Sequence, residues 1–514
     1  MRIAIVGALA ALGMSLTSAA VWKYTDPDKL DAASTVSSDA PDSPREGPKV
    51  DDDDPEPAKL VDKSTFVAGE TLMVEGRLGQ SKMLADTRGE TLLFVDVRNE
   101  PDPLDPLGAR TSFAPLNLAI VIDHSGSMKG QRERNAHDAA AGMIRRLRDG
   151  DTVSVVSYSE QARIVVPVTT ISTVTRERLI RDMLDGVGTR PSGNTCISCG
   201  VDLGMRTLAG RRAGIDRMLL LSDGEANRGV RDEAGMRVLA RQARNRGATI
   251  SSIGVDVDYN ERLMSAIARE ANGRHYFSET GANLEQIFDQ ELESLVSAVA
   301  KDTELVVELA PGVRVAEVLD RSYQQVDRRV IVPMGTFGAG EDKTFLMRLE
   351  VPPSPVGERP IANVTLSYED LAGAEPGECF GELATQMTAA AAEVSPLDAI
   401  VLSRLTRSET AKTLERANSL FAQGRTAEAQ AAVDEHLEQI RSRRKTAGAL
   451  VKAKEFFDPF GRDLDDDFAE QAGVLDKANA GFGEAAAAPE PAAASRPGKA
   501  QVRRNAEAAD AFAL

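Results

Sequence analysis

Leu116-Asn117-Leu118-Ala119-Ile120-Val121-Ile122 runs directly into Asp123-His124-Ser125-Gly126-Ser127-Met128-Lys129-Gly130. A near-continuous apolar run of this length predicts a strand buried on both faces, in the middle of a parallel sheet. The Asp-x-Ser-x-Ser turn then falls at the carboxyl end of that strand, where open α/β sheets gather their ligands. It presents one carboxylate and two hydroxyls, the hard oxygen donors that Mg²⁺, Mn²⁺ and Ca²⁺ prefer. Taken alone the turn has a plainer reading. Ser125 or Ser127 caps the helix expected over residues 132–147, and Asp123 accepts hydrogen bonds from loop amides.

Two later stretches favour the metal reading. Gly193-Asn194-Thr195 lies in a glycine-containing loop ahead of a helix expected at 198–209, and offers another hydroxyl. Arg217-Met218-Leu219-Leu220-Leu221-Ser222-Asp223-Gly224-Glu225 reads as a second buried strand that also ends in aspartate. Oxygens of Asp123, Ser125, Ser127, Thr195 and Asp223 are therefore expected to converge from three loops at one sheet edge.

With these residues in place the sequence resembles the von Willebrand factor type A domain and its metal-ion-dependent adhesion site. Gly150-Asp151-Thr152 through Ser159 resembles that family's next strand pair, and Ile250 through Asn260 and Gly273 through Phe277 its last two strands. The resemblance implies that the hydroxyls of Ser125, Ser127 and Thr195 bind Mg²⁺ (or Mn²⁺ or Ca²⁺), with Asp123 and Asp223 acting partly through water. It also implies an open coordination position, completed by a Glu or Asp carboxylate of a protein partner. That is a docking site and not a reaction centre, so the chain is not expected to be an enzyme. Lewis-acid catalysis needs a base or nucleophile beside the ion, and His124 occupies a non-ligand position of the motif. Asp256 and Asp258 are expected to shape a turn and cap the helix that starts at Glu261. The sequence contains no Gly-x-Ser-x-Gly, Walker or His-Glu-x-x-His motif.

Cys196-Ile197-Ser198-Cys199 follows Thr195 immediately and departs from the family's usual loop. In an exported chain a disulfide between Cys196 and Cys199 is the leading expectation, stiffening the loop that presents Thr195. A bridge from Cys379 to either partner and a regulatory dithiol are the alternatives. A zinc site lacks its second ligand pair.

The whole chain is expected to be α/β. A doubly wound, mostly parallel, Rossmann-like sheet covers residues 113–298, inserted in or flanked by an antiparallel β-sandwich. The sandwich strands are placed at 59–112 and 299–370. That arrangement resembles exported bacterial proteins related to inter-alpha-trypsin inhibitor heavy chains and calcium-activated chloride-channel regulators. A helical region is expected at 381–475, with Ala-rich helices at 383–393 and 396–406 and a hairpin around Gln423-Gly424-Arg425. Residues 476–514 read as a disordered Ala/Pro-rich tail and 23–58 as a disordered acidic linker. Arg2 precedes an uncharged run, Ile3 to Trp22, containing the small-residue stretch Ser18-Ala19-Ala20. Residues 1–22 are accordingly a cleaved signal peptide or an uncleaved membrane anchor. Either places the bulk of the chain outside the cytoplasm, as a periplasmic, cell-surface or secreted protein that meets membrane only through this segment.

Composition removes other classes. The 514 residues carry 61 basic and 79 acidic side chains, a net charge of -18, which argues against a nucleic-acid surface. Aromatic content of 4% supplies few stacking platforms, and three cysteines cannot build a disulfide scaffold. Residues 116–295 hold 24 acidic and 24 basic side chains, so the negative excess lies on the flanks of the expected metal domain. The functional expectation is an exported, divalent-cation-dependent protein-binding module of adhesion or scaffold type. An accessory subunit or regulator of an enzyme, channel or ATPase machine is the alternative. A metal-dependent hydrolase is a third class, for which the zinc-binding helix is missing from the sequence.

Overall fold

The computed structural model describes residues 63–513, except 100–113, 187–192, 210–213, 372, 374–375, 453–455 and 488–490. The targeting segment expected at 1–22 and the acidic linker expected at 23–58 lie outside the described residues. Four strands, β1 (Thr65–Gly69), β2 (Met73–Leu78), β3 (Lys82–Leu84) and β4 (Gly89–Arg98), precede β5 (Leu116–Asp123), which carries the decisive sequence. An alternating segment follows. It contains α1 (Gln131–Arg146), β6 (Thr152–Tyr158), β7 (Ala162–Thr170), α2 (Arg176–Gly186), α3 (Ile197–Leu208), β8 (Ile215–Ser222), α4 (Glu233–Arg244), β9 (Ala248–Val255), α5 (Glu261–Glu270), β10 (His275–Ser278) and α6 (Leu284–Val296). Strands then resume as β11 (Ala298–Leu309), β12 (Arg314–Leu319), β13 (Gln324–Val326), β14 (Arg329–Gly338), β15 (Asp342–Val351), β16 (Gly357–Asp370) and β17 (Pro376–Thr388). The last described helices are α7 (Ala399–Ala422), α8 (Thr426–Val451), α9 (Leu464–Ala486) and α10 (Arg496–Ala513).

All eight residues of β5 are buried, and their alternation explains why. Leu118, Ile120 and Ile122 pack with Ile144 of α1 and Phe288 of α6. Ala119 and Val121 face the other way, toward Val201 of α3 and Ala240 of α4. Successive strand residues point to opposite faces, so a strand apolar at nearly every position needs helices on both sides. The sheet runs β10-β9-β8-β5-β6-β7, with β5 parallel to both β6 and β8 and the edge strand β7 antiparallel to β6. The doubly wound α/β fold expected from the sequence is the one observed.

Two further sheets, β1-β2-β4-β15-β12 and β13-β14-β11-β16-β17-β3, enclose a second core. Val95, Val97 and Phe345 enter it from the first sheet, and Leu305, Val364 and Leu383 from the second. β4 pairs antiparallel with β15 from Gly89↔Val351 to Arg98↔Asp342. Strands from either side of the α/β segment thus share one sheet. The reverse face of that sheet, with Leu92, Phe94 and Leu346, is covered by the C-terminal helices.

Two expectations are corrected here. Residues 381–475 are not helical throughout, because 376–388 form β17. Cys379, Leu383 and Met387 of that strand are buried while Glu378, Phe380 and Glu382 are exposed. This period-2 pattern makes a strand, and the alanine run that suggested a helix starts only at Ala389, beyond it. The sandwich therefore extends past residue 370 to 388, and the helix expected at 396–406 is the first part of a longer one, α7. Residues 476–514 are also not a disordered tail. α9 continues to Ala486 and α10 spans 496–513, with Phe482 and Phe512 buried. Phe482 stacks on Phe421 of α7 at a ring separation of 4.6 Å. Alanine is the strongest helix former, and two phenylalanines anchor what composition alone makes look featureless. Around Gly424, left-handed at φ +78°, α7 turns into α8 as expected, but this hairpin is packed against α9 and α10. No helix among the described residues is long and apolar enough to cross a membrane.

Candidate metal centre

Strands β5 and β8 are neighbours and end together, which brings their terminal aspartates to one place. Ser125 N donates to Asp123 Oδ1 at 2.8 Å, and Ser222 Oγ donates to Asp123 Oδ2 at 2.8 Å. The hydroxyls of Ser125 and Ser127 lie 2.9 Å apart, and Ser127 Oγ donates to Asp223 Oδ1 at 2.7 Å. Thr195, just before α3, is pinned through its backbone. Its N–H donates to Asn227 Oδ1 at 2.8 Å, and Asn227 N donates back to Thr195 O at 3.0 Å. A methyl group at Gly224 would sit 3.6 Å from Ser127 Oγ and 3.7 Å from Thr195 Oγ1, so both hydroxyls border one small space. The five residues named from sequence are therefore brought together. Asp123, Ser125, Thr195 and Asp223 are buried, and Ser127 is exposed at the mouth.

Of the plainer reading of the turn, Asp123 does accept from a loop amide, that of Ser125, but the serine cap does not form. Neither Ser125, which precedes the 3₁₀ turn Gly126–Met128, nor Gly130, which precedes α1, makes a side-chain cap. The serine hydroxyls are spent on each other and on Asp223.

Charge at this edge is unbalanced. Burial pushes the Asp123 carboxyl up to about 7, helped by the nearby charge of Asp223, while hydrogen bonds from Ser222 and Ser125 pull the other way. Burial also raises Asp223, against hydrogen bonds from Ser127 and Arg132. Arg132, in the first turn of α1, places Nη1 3.1 Å from Asp223 Oδ2 and 3.1 Å from Ser127 O. Its Nη2 pairs with Asp256.

Sequence reasoning missed Arg132, Ser222 and Asn227. A faint signal exists for the first, since a cation in an opening helical turn opposes the helix dipole and calls for a carboxylate partner. Ser222 and Asn227 act only through tertiary proximity. The expected role of Asp256 and Asp258 as a helix cap is corrected: Asn260 caps α5, accepting from Leu263 N. His124 is buried, with Nδ1 3.0 Å from Glu133 Oε1. Cys196 and Cys199 are bonded across the first turn of α3 with Cα atoms 5.3 Å apart, and Cys196 N donates to Ser159 O at 2.7 Å. Cys379 is a free thiol buried in the sandwich.

The donor chemistry bears on which ion this edge suits. Among the described residues no group of three or more His, Cys, Asp or Glu side chains is placed to hold a metal. The cluster instead offers two mutually repelling buried carboxylates and three hydroxyls. Such an all-oxygen set with low protein charge fits a hard dication and does not fit zinc held by nitrogen or sulfur.

Comparisons with known proteins agree with the geometry. The von Willebrand factor type A domain matches residues 117–290. The chain is 29% identical over 269 residues to the uncharacterized protein YfbK of Escherichia coli, covering 50% of this chain and 45% of that one. It is 22% identical over 204 residues to inter-alpha-trypsin inhibitor heavy chain H4 of Bos taurus, covering 37% of this chain and 22% of that one. The match thus spans less than half the length of either curated relative. A solved von Willebrand factor type A structure from Catenulispora acidiphila superposes with a TM-score of 0.60 at 18% identity, covering 80% of this chain and 98% of that one. At that identity the likeness is one of fold, and it reaches well beyond the parallel sheet. With the family match on the strands and loops that build the cluster, residues 117–290 of the chain are a von Willebrand factor type A domain.

Proposed function

We propose that the chain is an exported, divalent-cation-dependent protein-binding module of adhesion or scaffold type. Asp123, Ser125, Ser127, Thr195 and Asp223 hold the cation, Mg²⁺ before Mn²⁺ or Ca²⁺. The observation that carries this reading is the pair of buried carboxylates at the ends of adjacent parallel strands, touched by one guanidinium and bordered by hydroxyls. A bound dication would supply net positive charge and a free coordination position. The chain's own residues then orient that position. Ser127 opens the cluster to solvent, and Asn227 and the Cys196–Cys199 bridge fix the Thr195 loop. A Glu or Asp side chain of a partner protein is the natural occupant. His124, the nearest imidazole in sequence, is paired with Glu133, which favours docking over hydrolysis. Export rests on the sequence of residues 1–22.

The test is a pull-down from envelope or extracellular material, in Mg²⁺ and in EDTA, with Asp123→Ala as control. A partner captured by the native chain in Mg²⁺, and lost in the other two conditions, is expected. Equal capture in all three would refute the mechanism.

A further inference from the structure

Asp256 is the point where the C-terminal helix meets the metal-site cluster. It follows β9, is 1% exposed, and has a left-handed backbone at φ +66°, a costly conformation for a residue with a side chain. Its Oδ2 takes the guanidinium of Arg132, whose other terminal nitrogen is on Asp223. Its Oδ1 lies 2.7 Å from Arg496 Nη1, at the start of α10. That second contact is Coulombic, since Oδ1 receives no aligned hydrogen bond. Asp223, Arg132, Asp256 and Arg496 thus form a row of alternating charges from the cluster to a helix more than 200 residues away in sequence. Neighbouring pairs lay the same helix along the loop after β9. Lys499 Nζ is 2.7 Å from Asp258 Oδ1, and Arg503 Nη2 donates to Tyr259 O at 2.8 Å.

We propose that this row couples the metal site to docking of the N-terminal half of α10, so that each weakens the other. The inference rests on the metal-site reading above. Arg132 and a dication are alternative counter-charges for Asp223. A cation in the cluster repels the guanidinium toward Asp256, where it displaces Arg496, the link without an aligned hydrogen bond. Binding free energies are reciprocal. A docked Arg496 therefore shares the charge of Asp256 with Arg132, so that Arg132 keeps its second hold on Asp223 and the affinity for the cation falls. A partner that lifts the start of α10 primes the adhesion site, and a cation in the site frees α10 for a partner.

Calorimetric titration of the full chain with MgCl₂ tests the coupling. Arg496→Gln should bind Mg²⁺ about fivefold more tightly, at the low end of site-to-site coupling because the Arg496 side chain is half exposed. Asp256→Asn should bind about fivefold more weakly, because Arg132 then has Asp223 alone. Should Asp256→Asn fail to fold, Arg496→Gln carries the test by itself, being a change at a half-exposed side chain. Amide hydrogen exchange of residues 496–504 should quicken with Mg²⁺ in the native chain and stay unchanged in Asp123→Ala. Unchanged or weaker Mg²⁺ affinity in Arg496→Gln, or exchange in the native chain indifferent to Mg²⁺, overturns the coupling. If Asp123→Ala still abolishes Mg²⁺ uptake in that case, the metal site survives. A native chain that takes up no Mg²⁺ overturns both.

Discussion

Asp123 and Asp223 stand within one hydrogen-bonded cluster, and burial works against the charge of both. Two buried like charges, with a guanidinium on Asp223 alone, cost stability unless a cation arrives. Asp123→Asn should therefore stabilise the metal-free protein, by roughly 1–3 kcal/mol, and abolish the stabilisation that Mg²⁺ gives the native chain. Thermal unfolding in EDTA and in Mg²⁺ measures both, and a variant less stable than the native chain in EDTA would contradict this account. Gly224→Ala probes the space without touching a ligand. Its backbone lies outside the left-handed range and the added methyl meets only the two hydroxyls, at ordinary contact distance. The variant should fold normally and bind Mg²⁺ about tenfold more weakly, a cost of roughly 1.4 kcal/mol, as calorimetry would show. The five oxygen-bearing residues were legible in the sequence because each lies at or beside the end of a predicted apolar strand or in a short loop. Arg132, Asp256 and Arg496 were not. Nothing local ties a helix's first turn to a loop about 120 residues on and a helix beyond 490.

At the level of elements, α3 matters most for the site because it carries Thr195 at its leading end. It lies close on the sheet: a Cβ at Gly200 would come within 2.7 Å of the Tyr158 ring, and one at Gly204 within 2.8 Å of Val121 Cγ2. Tyr158 is fully buried and donates to Leu221 O at 2.8 Å, beneath the β8 end that supplies Asp223. Gly200→Ala should push α3 outward, cost about 1–3 kcal/mol and weaken Mg²⁺ binding together with stability. Denaturant unfolding paired with a Mg²⁺ titration would expose the error if stability fell while affinity held. The same scale shows where pattern reading fails. β5 and β8 were legible because an uninterrupted apolar strand has few places to go except a double-faced sheet. β17 was misread because the alanine run that follows it, Ala389–Ala392, was carried back over an alternation that has meaning only beside β16. α9 and α10 were misread because alanine lowers sequence complexity and also lets helices pack. Phe482→Ala tests that correction. It should cost about 3–5 kcal/mol, whereas in a disordered tail it would cost nothing.

For the whole molecule, the three cores meet around a cavity of about 630 Å³ lined by β10, by β4 and β15 of the sandwich, and by α7, α9 and α10. His275 lines it, yet is itself buried. Its Nδ1 is 2.8 Å from Ser252 Oγ and its Nε2 3.0 Å from Tyr259 OH. Neither hydroxyl offers a charge to balance an imidazolium, and burial brings the ring's pKa down to about 4 from 6.5, with Asp510 of α10 opposing and Arg269 and Arg503 adding to the fall. A histidine held neutral makes the unfolded chain the better proton acceptor between those two values. The stabilisation is complete above about pH 6.5 and is lost as the pH falls toward 4. By linkage the loss at pH 4.5 should reach about 2–3 kcal/mol. The place of that loss matters, because protonation sets a charge at the seam where the type A domain meets the helix carrying Arg496 and Arg503. Denaturant unfolding at pH 7 and pH 4.5, in the native chain and in His275→Gln, isolates the effect from other titrating groups. Glutamine keeps a donor and an acceptor for Ser252 and Tyr259 and cannot be protonated in this range. The native chain should lose about 2–3 kcal/mol more than the variant on acidification. Equal losses would mean that the seam is not guarded by this imidazole, and that acid acts on the carboxylates of the junction instead.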